Sequence, residues 1–185
     1  IGPGIGKDLE TQSLIRKLVL NVKKPLVLDA DGLSCFEGRS KDLFKRKFPM
    51  VITPHFGELS KLLGISVNDL TIKFPEVMER LMKKNPHVAL VKQVPSCIFN
   101  STTAVLNTSG NPGLATAGTG DVLAGILGSF ISQGFNLSVS SKMAAFIHGK
   151  SSDILVNKKG YRGQIATDLL EIIPKVISNY ENGSN

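Results

Sequence analysis

The apolar residues of this 185-residue chain follow two spacings, and their alternation predicts that helices alternate with strands. Residues 7–23 carry apolar side chains at the i, i+3, i+4 and i+7 positions of one helix face. These side chains are Ile15, Leu18, Val19 and Val22. Short continuous apolar runs predict strands that are buried on both sides. Such runs occupy 25–29, 50–53 and 88–91.

Further apolar spacings predict a short basic helix at 40–47, a helix that ends at Gly64 and another that begins near Pro75. Two apolar runs, 97–99 and 104–106, flank a polar stretch and predict a β-hairpin. A glycine-rich loop then precedes three more helical patterns. Their apolar positions lie within 123–130, 143–147 and 169–177.

This order of elements is typical of an α/β protein. Continuous apolar strands separated by helices predict a mostly parallel central sheet with helices on both faces, because such strands have no solvated side. The hairpin adds antiparallel strands late in the chain. We therefore expect a single domain over residues 1–185.

The chain opens on a glycine-rich turn, Gly2-Pro3-Gly4-Ile5-Gly6, and does not begin with methionine. Turns of this kind normally follow a strand, so we expect the sequence to be the later part of a longer polypeptide. Its spacing matches neither the dinucleotide-binding glycine fingerprint nor the P-loop. Two interpretations of this turn remain, a close approach of backbone to a ligand and a tight turn.

The net charge of +7 indicates that the partners of the protein are anionic. No aromatic-rich motif accompanies the basic residues, which disfavours nucleic acid, and the densest cluster, 41–47, is predicted to be a solvated basic helix. No apolar run approaches the length that spans a membrane. Cys35 and Cys97 are isolated, without the spacing of a metal site, and predict buried thiols in a reducing, cytoplasmic compartment.

Ligands of open parallel sheets bind at the carboxyl ends of the strands, and the strongest candidate follows the hairpin. The loop 107–120 is rich in glycine and leads into a helix with Asp121 in its first turn. Free backbone N–H groups at such a helix start form an anion site. Asp121 could take a proton from a substrate hydroxyl there, or it could serve only as a helix-capping acid.

Three other strand ends carry polar candidates. His55 could contact a phosphate or transfer a proton, or it could cap a helix together with Glu58. Asp29 and Asp31 suit magnesium bound through water, or a ribose hydroxyl, although one of them could cap a turn. Lys92 ends a buried strand, and it could contact a phosphate or extend along the surface.

Together these motifs resemble the ADP/ATP-dependent NAD(P)H-hydrate dehydratases of the ribokinase-like superfamily. The matching blocks are IGPGIG, VLDADGL, ITPHFGEL, NTSGNPGLATAGTGDVLAG, HG and ATDLL, which extend from residue 1 to about residue 174. The resemblance implies repair of a nicotinamide ring that is hydrated at C6. The 6-hydroxyl is phosphorylated by ADP or ATP, with Mg²⁺, and phosphate is then eliminated.

The resemblance also implies residue roles. Asp121 is the general base, and Gly118, Thr119 and Gly120 form the anion hole for the transferred phosphoryl group. Hydrated nicotinamide lies on the side of Gly4, His55 and Asp121. The nucleotide side comprises Lys92, Gln93, Val94, Pro95, Ser96, Asn111 and Gly120. No residue is assigned to a metal.

The sequence departs from the family pattern at Gln93 and Ala117, where glycine is usual, and at Thr119, where serine is usual. The resemblance further implies a homo-oligomer, and an NAD(P)HX epimerase fused to or partnered with this domain. Two alternatives stay open. One is a ribokinase-like kinase that releases a stable phosphate ester, and the other is a nucleotide-binding module without catalysis.

Overall fold

A computed structural model describes residues 1–183, so the last two residues of the predicted domain, Ser184 and Asn185, lie outside the described residues. The contacts within the chain divide it into two compact units. The first unit comprises Ile1–Gln93 and Cys97–Val105, and the second comprises Val94–Ser96 and the chain from Leu106 onward. That both units form one domain stays a prediction.

The first unit alternates helices with strands, as the apolar spacing predicts. Its elements up to the hairpin are α1 (Leu9–Asn21), β1 (Leu26–Leu28), α2 (Ala30–Ser34), α3 (Ser40–Leu43), β2 (Met50–Ile52), α4 (Phe56–Leu63), α5 (Val67–Ile72), α6 (Phe74–Lys84) and β3 (Val88–Val91). Sequence analysis missed α2 and α5, because helices of five and six residues are too short to show a helical period. Helix α4 ends as predicted, with Gly64 in the left-handed conformation.

The chain continues into β4 (Ser96–Phe99) and β5 (Ala104–Asn107), and the five strands form one sheet in the order β1-β2-β3-β4-β5. Strands β1, β2 and β3 are parallel, with Leu28 opposite Ile52 and Ile52 opposite Ala89. Strand β4 is antiparallel to β3. The prediction of a mostly parallel sheet with a late hairpin is therefore confirmed.

Both faces of the sheet are buried along β2 and β3. Met50, Ile52 and Val91 belong to the apolar core of the first unit, which also contains side chains of α1 through α6. The intervening residues Val51 and Leu90 point to the opposite face, since side chains alternate along a strand, and they are fully buried as well. This burial explains why the strands are read as continuous apolar runs.

Side chains at the helix starts define where several helices begin. Asp8, Ser66 and Asn136 accept backbone N–H groups at the first turns of their helices. Each satisfies donors that an isolated helix would leave open, which stabilises a helix by about 1 kcal/mol. These capping residues also fix the direction in which the preceding loop enters.

The second unit contains a short 3-10 turn at Pro112–Leu114 and three helices, α7 (Thr119–Ser132), α8 (Leu137–Lys159) and α9 (Ala166–Glu181). Helices α7 and α9 both pack against α8. Many of the buried residues of α8 are small, which allows close packing of its neighbours. They include Ser140, Ser141, Ala144, Ala145, Gly149, Ser151 and Ser152. Among residues 1–183, no helix combines the length and apolar character that crossing a membrane requires.

One expectation is wrong in the basic stretch 41–47. Helix α3 stops at Leu43, and Arg46 is only 3 % exposed rather than solvated. Its guanidinium donates to the backbone carbonyl of Val19 and to that of Lys24 at 2.7 Å. A cluster of basic residues in a sequence does not show whether an arginine donates to buried carbonyls or faces water.

His87 is buried near this arginine, at 5 % exposure. Burial and the positive charge of Arg46 lower the pKa of His87 to about 4, from an ordinary value of 6.5. The folded protein therefore keeps the imidazole neutral over a pH range in which the unfolded chain protonates it. Stability from this source is complete above pH 6.5 and is lost as the pH falls towards 4.

We expect the free energy of unfolding to fall by about 3 kcal/mol over that range because of His87, at about 1.4 kcal/mol for each pKa unit. Urea denaturation of the native protein and of His87→Gln, at several pH values from 7.5 to 4, measures this term. The variant should show the flatter pH dependence. Parallel losses of stability in both proteins would assign the pH dependence to other groups.

Candidate functional site

The carboxyl ends of β1, β2 and β3 carry a group of charged side chains, here called the strand-end cluster and consisting of Asp29, His55, Glu58 and Lys92. The backbone N–H of Lys92 donates to the carbonyl of Pro54 at 2.8 Å, which joins the ends of β2 and β3. The Lys92 ammonium reaches the end of β1, with Nζ 2.6 Å from Asp29 Oδ1. It also lies 3.6 Å from Glu58 Oε2.

Asp29 needs this ammonium because the residue is only 1 % exposed. A buried carboxylate without a countercharge is strongly unfavourable, since it loses its hydration. Lys92 is therefore paired with protein carboxylates and does not extend along the surface. Its contact with a nucleotide stays a prediction.

His55 caps helix α4. Its Nδ1 accepts the backbone N–H of Glu58 at 3.2 Å, and the Glu58 carboxylate accepts the backbone N–H of His55 at 2.8 Å. Because Nδ1 is an acceptor, the proton of the neutral ring is on Nε2. That nitrogen is 3.6 Å from Glu58 Oε1, beyond hydrogen-bond distance, and the side chain is 57 % exposed. His55 therefore combines the predicted cap with a donor that a ligand can reach.

The glycine-rich turn packs on the end of β1. A Cβ at Gly2 would lie 1.7 Å from the carbonyl oxygen of Asp29, so only glycine fits there. The N–H of Gly6 donates to Asp31 Oδ2 at 2.9 Å. Gly4 has a φ of +72° and open space where a Cβ would stand. The turn is thus tight at Gly2 and accessible at Gly4.

The two aspartates that follow β1 have different partners, and their predicted contact with water-bound magnesium or a ribose hydroxyl stays a prediction. Asp29 faces Lys92, whereas Asp31 accepts from the Gly6 backbone. Among residues 1–183, no group of three or more His, Cys, Asp or Glu side chains is arranged to hold a metal ion.

In the second unit, the glycine-rich loop is held against helix α8. Asp153 accepts the N–H of Gly110 at 3.0 Å and the side-chain amide of Asn111 at 2.9 Å. The other end of the Asn111 side chain accepts the N–H of Gly113 at 3.0 Å. One end of this amide is therefore engaged by helix α8 and the other within the loop, and its predicted contact with a nucleotide stays a prediction. Sequence analysis did not select Asp153, although a carboxylate on a small-residue helix face is an available signal.

The start of helix α7 is fixed by Thr119 and His148. The Thr119 hydroxyl lies 2.6 Å from the carbonyl oxygen of Leu114 and 2.8 Å from that of Thr116. His148 Nε2 donates to the carbonyl of Thr119 at 2.9 Å, which assigns the ring proton to that nitrogen. His148 is buried and hydrogen-bonded, so it is a satisfied core histidine.

Two backbone donors remain open at this helix start. Gly118 precedes α7 in the left-handed conformation, with φ of +85°. Thr119 N–H donates to the carbonyl of Thr116 and Asp121 N–H to that of Gly118. In the part of the chain that the structure describes, the N–H groups of Gly118 and Gly120 have no acceptor. Open donors at the positive end of a helix dipole form an anion site.

Asp121 is exposed beside these donors. Gly118, and not Asp121, is the capping residue, and the Asp121 side chain makes no capping hydrogen bond. Within residues 1–183 the carboxylate has no hydrogen bond or ion pair. It lies at one end of an apolar groove of about 600 Å³ between α7 and α9. The carboxylate is thus free to accept a proton next to an anion site.

The remaining predicted nucleotide residues lie in the connection between β3 and β4. Gln93 follows Lys92, and the peptide bond between Val94 and Pro95 is cis. Ser96 is the first residue of β4. The structure therefore gathers Asp29, His55, Glu58 and Lys92 in the first unit, and Asn111, Gly118, Thr119, Gly120 and Asp121 in the second.

Comparison with known proteins gives the same family from sequence and from structure. The sequence model of the NAD(P)H-hydrate dehydratase family matches residues 1–175. A bifunctional NAD(P)H-hydrate repair enzyme of Moorella thermoacetica is 35 % identical over 182 residues, which are 98 % of this chain and 34 % of that protein. The chain thus spans about a third of the length of the curated relatives that it matches.

Two solved structures are similar to the chain. The ADP/ATP-dependent NAD(P)H-hydrate dehydratase of Bacillus subtilis, co-crystallised with ATP and Mg²⁺, is 28 % identical with a TM-score of 0.85. The match covers 97 % of this chain and 63 % of that one. A ribokinase-like superfamily protein of Enterococcus faecalis is 29 % identical with a TM-score of 0.81, over 97 % of this chain and 62 % of that one. The fold is therefore ribokinase-like.

The strand-end cluster makes a prediction about stability. Lys92→Met leaves the Asp29 carboxylate buried without its countercharge, so we expect a loss of about 3–5 kcal/mol in the free energy of unfolding. Adding Asp29→Asn should recover part of that loss. Lys45→Met is the matched control, because its partner Asp42 is exposed, and it should change stability little. Urea denaturation of the four proteins tests this, and equal effects of the two lysine variants would contradict it.

Proposed function

The chain belongs to the NAD(P)H-hydrate dehydratase family, and on this premise we propose that the protein restores NAD(P)H from its hydrated form with ADP or ATP. The 6-hydroxyl of the hydrated ring loses its proton and attacks the terminal phosphorus of the nucleotide, whose bond to the bridging oxygen breaks to release AMP from ADP, or ADP from ATP. Phosphate then leaves C6 as a proton is lost from the neighbouring ring carbon, which re-forms the double bond. The observation that carries this proposal is the unpaired Asp121 carboxylate beside the open N–H groups of Gly118 and Gly120.

Each of these groups has a role in the proposed phosphoryl transfer. Asp121 accepts the hydroxyl proton, which makes the oxygen a nucleophile. The N–H groups of Gly118 and Gly120 donate to the charge that develops on the transferred phosphoryl oxygens. The Thr119 hydroxyl is directed at two loop carbonyls, so it holds the loop that carries these donors, and its place in the anion hole stays a prediction.

The two ligands are assigned to different residues in the proposal. Gly4 and His55 lie on the side of the hydrated nicotinamide, where the accessible Nε2–H of His55 donates to the substrate. The connection 92–96, Asn111 and Gly120 lie on the nucleotide side. Mg²⁺ enters with the nucleotide, because this ion retains water and phosphate ligands and seldom needs a cage of protein side chains.

The longer protein has further proposed properties. The curated relatives are named bifunctional, and the chain matches about a third of their length. We propose that an NAD(P)HX epimerase accompanies this domain. Two unpaired, buried cysteines support a reducing compartment, and we propose the cytoplasm. A homo-oligomer stays a prediction.

Recovery of dihydronicotinamide absorbance from hydrated NADH and NADPH tests the reaction. The full-length protein is supplied with Mg²⁺ and with ADP, ATP or no nucleotide. We expect recovery that depends on a nucleotide. Asp121→Asn should lower kcat by at least about a hundredfold while nucleotide affinity stays within about twofold, because only the base is lost. Glu171→Gln, an exposed carboxylate change on α9, is the control and should retain activity.

The result that would overturn the proposal is binding of ATP or ADP without recovery of either hydrated cofactor. Accumulation of a stable phosphate ester on another alcohol would instead identify a kinase. Full activity in Asp121→Asn would keep the reaction and remove Asp121 as its base.

His55 is tested by separating its two roles. His55→Asn keeps a side-chain acceptor at the helix cap, since asparagine is among the best capping residues, but it removes the Nε2 donor. His55→Ala removes both. We expect the free energy of unfolding to be retained in the Asn variant and lowered by about 1 kcal/mol in the Ala variant. The KM for hydrated cofactor should rise in both. An unchanged KM in His55→Asn would reduce His55 to a capping residue.

A further inference from the structure

A cleft of about 300 Å³ lies on the first unit, between the start of α1, the end of α2 and the end of α4. We call it the α1 cleft. Four cationic side chains line it, together with the carboxylate of Glu37. The cations are Lys7, Arg16, Arg39 and Lys61. The function proposed above uses none of these residues.

Arg16 is the ordered group of the cleft. Its Nη1 donates to the carbonyl of Cys35 at 3.1 Å and lies 3.4 Å from Gln12 Oε1. The side chain is half-buried, so these contacts hold the guanidinium in one position. Because both contacts use Nη1, the donors on Nη2 and Nε remain for another acceptor. A guanidinium fork matches the geometry of phosphate oxygens.

The positive charge of the cleft is only partly neutralised. Glu37 pairs with Lys61 at 3.6 Å. The carboxylate of Asp42 pairs with Lys45 at 2.8 Å, and its pKa is lowered first by Lys45 and only then by the charge of Arg39. Among the described residues, no ion pair with Lys7 or Arg16 is present. An unbalanced group of cations in a concave site attracts a multiply charged anion.

The cleft also offers an apolar contact. Leu9, in the first turn of α1, is 78 % exposed at the edge of the cleft. An exposed leucine next to a group of cations is suited to a ligand that joins an apolar ring or sugar face to a phosphate. Free inorganic phosphate would use the cations alone. The combination therefore favours a nucleotide.

We propose that the α1 cleft binds a phosphate group of the dinucleotide substrate, a proposal that rests on the proposed function. Lys7 is three residues from Gly4, where the hydrated nicotinamide is placed, so at most about 11 Å of chain separates them. Both residues belong to the first unit. A dinucleotide carries its phosphates away from the reacting ring. Binding energy gained there orients the ring without contacting it.

Isothermal titration of the full-length protein with NADPH, NADH, ADP and inorganic pyrophosphate tests this site. The variants are Arg16→Gln and Arg39→Gln. Arg80→Gln, an exposed arginine on α6, is the control with the same change of charge. We expect the Kd for NADPH to rise about tenfold in each cleft variant and to stay unchanged in the control. The effect should shrink as salt is raised, because the contact is electrostatic.

The four probes distinguish the sources of the phosphate. A loss confined to NADPH assigns the cleft to the 2′-phosphate, and a loss shared by NADPH and NADH assigns it to the diphosphate. A loss confined to ADP or pyrophosphate would overturn the assignment to the dinucleotide. Equal affinities in the cleft variants and in Arg80→Gln would overturn the site itself.

Two further measurements separate the failures. Within the described part of the chain the Arg39 side chain makes no hydrogen bond, so Arg39→Gln should keep the melting temperature even where Arg16→Gln lowers it. Weaker NADPH binding in Arg39→Gln with an unchanged melting temperature therefore cannot come from unfolding. If the native protein binds NADPH through the cleft but recovers no hydrated cofactor, the proposed function fails and the phosphate site stands.

Discussion

The ion pair between Asp29 and Lys92 is the interaction on which the first unit's part of the candidate site depends. The two residues are 63 positions apart in the chain and follow different strands, yet their charges are 2.6 Å apart. The pair closes over the end of β2, where His55 starts helix α4. Because the carboxylate is almost fully buried, the ammonium cannot leave without a large cost in free energy. The ion pair therefore fixes the ends of β1, β2 and β3 in one arrangement, which also positions the exposed imidazole of His55.

In the second unit, the main constraint is that the backbone N–H groups at the start of α7 stay available to a ligand. The side chain of Asp153 and the hydroxyl of Thr119 hold the loop in place through hydrogen bonds. The loop therefore does not need the N–H groups of Gly118 and Gly120 for its own hydrogen bonds. Gly118 adopts a positive φ at the helix start, a conformation that glycine takes without strain. The open donors therefore result from a well-anchored loop and not from a flexible one. Such preorganised donors need no rearrangement when charge develops.

Much of the sheet could be predicted because buried parallel strands give continuous apolar runs, and α4 and α6 because their apolar faces are regular. The short helices α2 and α5 could not, since one turn and a half carries no period. Motif and loop chemistry selected Asp121, His55 and Gly118 as candidates, and their roles stay predictions. The partners of Lys92 could not be predicted, because an ion pair between distant strand ends leaves no local pattern in the sequence. The prediction that Arg46 faces solvent was wrong for the same reason, since the carbonyls to which it donates lie elsewhere in the chain.

The geometry also explains why the departures in the glycine-rich motif are compatible with an anion site. Ala117 stands where the family usually has glycine, but no positive φ is found at this position, so a methyl group causes no strain. At 119, threonine supplies the hydroxyl that reaches the carbonyls of Leu114 and Thr116. A serine would present the same oxygen, and the additional methyl lies on a buried residue. The groups that would meet a phosphoryl oxygen are backbone N–H donors, which a change of side chain leaves in place as long as Gly118 keeps its conformation.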